Sequence, residues 1–89
     1  MIKRITREEI VYHTNFYFSH FDQIDGSEIY KHRENKYYTI ARYDSNFYID
    51  LSEDPTQRIY FSTSSTGKFI NTVEELMTVI NYLYFLKGK

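Results

Sequence analysis

The chain has no cysteine, one proline and three glycines among its 89 residues. Without cysteine there is no disulfide framework and no thiolate chemistry. That absence fits a reducing compartment, and a cytoplasmic location is the expectation. With so little proline and glycine there is no linker, and no repeat or low-complexity tract divides the chain. Eighty-nine residues are too few for two separate cores, so one domain is expected. Long apolar runs are missing too. Spanning a membrane takes roughly 18 apolar residues, whereas the longest apolar-rich run, Val79 to Leu86, is short and interrupted by Asn81. The basic start MIKRITREEI is followed by no apolar segment, so no signal peptide is expected. An excess of one charge is also lacking. Eleven basic and twelve acidic side chains leave a net charge of −1. That balance disfavours a non-specific nucleic-acid binder, which is usually basic, and equally an acidic mimic of DNA.

What the chain has is aromatic side chains: ten tyrosines and seven phenylalanines. Isoleucine is as frequent as tyrosine, and alanine occurs once. This usage suggests AT-rich coding, and hence a low-GC bacterium, its phage or a mobile element.

Residues 6–26 support two readings. As a strand, Ile10, Tyr12, Thr14, Phe16 and Phe18 alternate. As a helix, Ile10, Thr14, Tyr17, Phe21 and Ile24 share a stripe. The ends favour the helix: Thr6 with Glu9 forms a capping box, and Gly26 stands where a left-handed stop belongs. A helix is therefore predicted over about 7–24. Four strands follow, near 28–33, 36–43, 46–52 and 58–64, separated by short polar turns that favour an antiparallel meander. A last helix begins at the Thr72–Glu75 capping box. It carries the stripe Val73, Leu76, Met77, Ile80, Leu83 and Tyr84 and ends near Lys87 and Gly88. The expected fold class is α+β in the order α-β-β-β-β-α, with an antiparallel sheet packed on one face by two helices.

If Ile40 opposes Ile49, then Tyr38, Ile40, Phe47, Ile49, Leu51, Ile59 and Phe61 share the covered face. Alternation then turns Tyr37, Tyr43, Tyr48 and Tyr60 to the other face with Thr39, Asp50 and Ser62, and Tyr30 joins them if the first strand pairs in step. Tyrosine is also a good strand former, so cross-strand pairing alone could account for these residues. On the helices, Tyr12 with Phe16 and Tyr82 with Phe85 lie opposite the apolar stripes, where a partner or a second copy would cover them.

Chemistry is sparse. His13 and His20 share an edge of the predicted helix and His32 is remote. No zinc motif recruits them, even with Asp22 or Asp25 added. The acidic pairs Glu8–Glu9, Glu53–Asp54 and Glu74–Glu75 fit helix first turns and a loop better than a catalytic cleft. The run STSSTGK has neither a nucleophile elbow nor a phosphate loop around it. No cofactor or metal is expected, and no enzyme. The segment YKHRENKYY mixes Lys31, Arg33 and Lys36 with Tyr30, Tyr37 and Tyr38, and Arg42 and Arg58 lie nearby, a mixture that could hold single-stranded nucleic acid. Interspersed Glu28, Glu34, Asp44 and Asp50 weaken that reading. The expectation is a small non-enzymatic protein-binding module, such as an inhibitor or accessory protein of a phage or mobile element. Its binding residues are expected among Tyr12, Phe16, Tyr30, Tyr37, Tyr43, Tyr48, Tyr60, Tyr82 and Phe85. A homodimer is a possible state, and a nucleic-acid accessory factor is the alternative.

Overall fold

Thr6 opens the first helix as its capping box requires. Its hydroxyl accepts from the Glu9 backbone N–H at 3.1 Å, and the Glu9 carboxylate accepts from the Thr6 N–H at 2.9 Å. The computed structural model describes residues 4–88. In it this helix, α1 (Arg7–His13), is only two turns long. Thr14 ends it in an extended conformation, and its hydroxyl donates back to the Ile10 carbonyl at 2.5 Å. The chain then enters a strand, β1 (Phe16–Phe21).

This corrects the helix expected over 7–24. The Thr14 hydroxyl competes for backbone hydrogen bonds, donating to the Ile10 carbonyl and accepting from the Phe16 N–H, and the aromatic run FYFSHF suits a sheet better than a helix. As a strand, the run brings Phe16 and Phe18 to the same side, where Phe16 is buried and Phe18 packs against the core. Gly26 does take a left-handed φ of 77°, but it closes a strand-to-strand turn. There the Asp22 carboxylate accepts from the Ile24 N–H at 2.8 Å, and the Gly26 N–H bonds the Asp22 carbonyl at 3.0 Å. His13 and His20 consequently lie on different elements.

The remaining strands are β2 (Glu28–His32), β3 (Thr39–Tyr43), β4 (Asn46–Asp50) and β5 (Tyr60–Ser62). All neighbours are antiparallel, in the meander order β1-β2-β3-β4-β5. The chain is thus α+β with five strands. Ile40 opposes Ile49, and Ile49 opposes Phe61, so the apolar row is continuous across the sheet. After β5 a single helical turn, α2 (Thr63–Thr66), and a loop lead to α3 (Val73–Lys87), capped by the Thr72 hydroxyl. The strand expected over 58–64 is therefore shorter, and its end is helical.

The core lies between the sheet and the helices. Ile10 of α1 and Leu76, Ile80 and Leu83 of α3 meet Phe16, Tyr30, Ile40, Phe47, Ile49 and Leu51 of the sheet side. Met77 and Tyr84 flank the α3 stripe and stay partly open. The radius of gyration is 12.5 Å, close to the roughly 12 Å expected of one compact domain of this length. No described helix is long and apolar enough to cross a membrane.

Candidate functional site: the open face of the sheet

One face of the sheet carries the helices, so the other is where strand side chains meet solvent. The register builds that face in cross-strand rows. One row runs Tyr17, Lys31, Thr39, Asp50 and Tyr60; the next runs Ile29, Ala41, Tyr48 and Ser62. Tyr43 closes the β3–β4 hairpin opposite Asn46, diagonal to Tyr48. Tyr48 and Tyr60 stack, with ring centroids 5.6 Å apart and planes inclined by 27°. Arg58, just before β5, holds the pair. Its Nη2 donates to the Tyr48 hydroxyl at 2.5 Å and pairs with the Asp50 carboxylate at 3.1 Å, while its guanidinium lies 5.2 Å from the Tyr60 ring centre. Partial burial, then the charge of Asp50, push the Tyr48 phenol above its ordinary pKa, so it stays neutral at physiological pH.

The nine expected binding residues separate into groups. Tyr43 (56% exposed) and Tyr60 (45% exposed) lie on the open face with the half-buried Tyr48. Tyr37 is exposed in the turn before β3, with the Lys36 ammonium 5.2 Å from its ring. Tyr12 is on α1, and Tyr82 and Phe85 are exposed on α3. Two expectations are overturned. Phe16 is a fully buried β1 residue, so the outward pair Tyr12–Phe16 does not exist. Tyr30 opposes Ile40 and is fully buried on the helix side.

The reason for Tyr30 is polar. Its hydroxyl donates to the Glu28 carboxylate at 2.8 Å. Arg42, only 6% exposed, grips the same carboxylate through Nε at 2.8 Å and Nη2 at 2.5 Å, and also donates to the Ile5 carbonyl. Arg7 adds a third cationic contact at 3.6 Å. Burial by itself would raise the Glu28 pKa. The hydrogen bonds from Tyr30 and Arg42 and the charges of Arg42 and Arg7 outweigh it and hold the carboxyl below its usual range. Burial, then the bond to Glu28, raises the Tyr30 phenol strongly. The phenol therefore has the partner a buried hydroxyl needs.

A second polar cluster joins the sheet to the end of α3. The Glu53 carboxylate accepts from Lys87 Nζ at 2.7 Å, Tyr38 at 3.0 Å and Asn35 at 3.1 Å. These bonds draw its pKa down to about 2. His32 Nδ1 accepts the backbone N–H groups of Glu34 at 3.0 Å and Asn35 at 3.1 Å, which places the ring proton on Nε2, 3.0 Å from the Tyr84 hydroxyl. Burial lowers the His32 pKa against an opposing pull from Glu34.

Both clusters satisfy their own members. Among the described residues no group of three or more His, Asp or Glu side chains is placed to hold a metal ion. Of the cations considered for nucleic acid, Arg42 is buried on Glu28 and Arg58 is tied to Asp50, which leaves Lys31 on the open face. Sequence reasoning missed Tyr17, which the helix reading had assigned to a core stripe. The alternation of Phe16 and Phe18 was the signal that would have placed it here. In comparisons with known proteins, no family model matches the chain, and no curated protein or solved structure matches it either.

Proposed function

We propose that the protein is a non-enzymatic binding module whose open sheet face docks on a protein partner. The observation that carries this is the Tyr43, Tyr48, Tyr60 and Tyr17 surface, at whose centre Tyr48 and Tyr60 are held by stacking and by Arg58. Its ion pair, Arg58–Asp50, is internal to the face. Tyrosines held by stacking lose little entropy on binding, and a surface whose central charges are already paired suits a protein better than a polyanion. The module would occupy or inhibit a larger partner in the cytoplasm of a low-GC bacterium, as a phage or mobile-element accessory protein does. Single-stranded nucleic acid remains the second reading, supported by Lys31 and Lys36 beside the aromatic rings.

The test is capture by the immobilised protein from bacterial lysate, with and without nuclease and at two salt concentrations. The protein reading expects one captured protein that survives nuclease and salt and is lost with the Tyr43→Ser, Tyr60→Ser double variant. Capture that disappears with nuclease and falls steeply with salt supports the nucleic-acid reading instead.

A further inference from the structure

The two edges of the sheet differ. On β1 the register shifts between Phe18 and His20, a bulge that interrupts the edge, and the Phe16 N–H is occupied by the Thr14 hydroxyl at 3.3 Å. β5 has no such interruption. The Leu51 N–H bonds the Ile59 carbonyl at 2.8 Å, so Ile59 faces β4 with its peptide groups. Alternation then turns the N–H and C=O of Tyr60, and the N–H of Ser62, away from the sheet. Beside this edge is a groove of about 390 Å³, lined by Phe61, Phe69, Ile70 and Val79 with Lys68, Glu74, Glu75 and Thr78 at its margins. That volume lies within the range of about 300–1,000 Å³ typical of ligand clefts. Val79, Tyr82 and Leu86, spaced by three and four residues, continue the same flank of α3.

We infer that the β5 edge receives an extended segment of a partner protein, added as a sixth antiparallel strand. The inference rests on reading the chain as a protein-binding module. Backbone pairing with Tyr60 supplies the attachment, and alternate side chains enter the groove between Phe61 and Val79. The edge is three residues long, about 10 Å. That is too little for a twofold dimer, which needs about 800 Å² from each copy, but it suits a short strand in a concave groove. Two carboxylates to one ammonium at the margins favour a segment with apolar residues flanked by lysine or arginine. On its outer side the added strand lies against Tyr60, so edge and tyrosine face form one continuous surface.

The probe is a blocked heptapeptide, Lys-Val-Thr-Leu-Thr-Val-Lys, beside the same peptide N-methylated at both threonines, titrated into the ¹⁵N-labelled chain. The expected result is saturable shifts of the Tyr60 and Ser62 amides, with affinity at least tenfold weaker for the methylated peptide. Phe69→Ser and Thr78→Arg, both at exposed positions, each weaken binding at least fivefold, whereas Glu8→Gln, exposed on α1 and outside both the groove and the tyrosine face, leaves it unchanged. Silent Tyr60 and Ser62 amides overturn the inference. So do equal shifts from both peptides, or shifts of these amides on diluting the chain alone, which would assign the edge to a second copy. If partner capture still depends on Tyr43 while the edge stays silent, only the strand addition fails; if capture is absent altogether, the module reading fails.

Discussion

Arg42 and Glu28 show how a charged pair survives beneath the helices: every polar atom there has a partner, and no buried side-chain nitrogen or oxygen among the described residues is left without one. Removing Arg42 takes the close cationic partner from the Glu28 carboxylate and leaves it with Tyr30 and the 3.6 Å contact to Arg7. Arg42→Ala is therefore expected to cost about 3–5 kcal/mol in urea unfolding. An Arg42→Met, Glu28→Leu, Tyr30→Phe triple variant, which also removes the buried phenol that donates to Glu28, is expected to recover most of that loss. Full recovery would show that the pair adds no net stability. On the open face the expectation is opposite. Tyr43→Ser should stay within about 0.5 kcal/mol of the parent, because an exposed side chain without a named contact carries little stability. The titrations have signs that can be checked. The folded pKa values of Glu28 and Glu53 are lowered, to about 2 for Glu53, so their stabilisation is present above about pH 4.5 and is lost as pH falls toward 2. His32 is also lowered, from 6.5. Neutral His32 stabilises the fold above that pH, and the contribution is lost as pH falls through the folded value, because protonated Nδ1 cannot accept two backbone N–H groups. His32→Asn, which keeps a local acceptor without the titration, should remove that part of a thermal-midpoint profile measured between pH 7 and 5.

At the scale of elements, residues 14–21 decide the architecture. Phe16→Ala should cost about 3–5 kcal/mol as a buried aromatic truncation, and Tyr12→Ala almost nothing. One outward helical face for both would make the two equal, so the pair of unfolding curves distinguishes strand from helix directly. The last helix was legible because each signal agreed: Thr72 and Glu75 at the cap, a stripe at helical spacing and Lys87 in the last turn. In the β3–β4 hairpin the split of side chains between the two faces was legible from alternation, whereas the Ile40–Ile49 register was assumed and is the one the structure has. Residues 14–21 were not legible, because their apolar positions satisfy both periods and the capping box marks where a helix starts without saying where it stops. Tyr30 was illegible for a different reason. Its burial depends on Glu28 and Arg42, whose pairing across two strands has no signature in local sequence.

At the scale of the molecule, the nine expected binding residues reduce to a smaller set. Burial removes Phe16 and Tyr30. Tyr43, Tyr48 and Tyr60 remain together on one face, joined by Tyr17, while Tyr12, Tyr37, Tyr82 and Phe85 are dispersed over other surfaces. A small domain that leaves a whole sheet face open exposes more aromatic surface than its own fold uses, and that surplus is the basis for assigning a partner. We assign this surplus to binding rather than to sheet stability. The direct measurement sets thermal midpoint and nuclease-resistant capture side by side for the parent and for the Tyr43→Ser, Tyr60→Ser variant. A midpoint within a few degrees of the parent together with lost capture is the expected result. A collapsed midpoint, or unchanged capture by a folded variant, would contradict it and return the tyrosines to the sheet as structure.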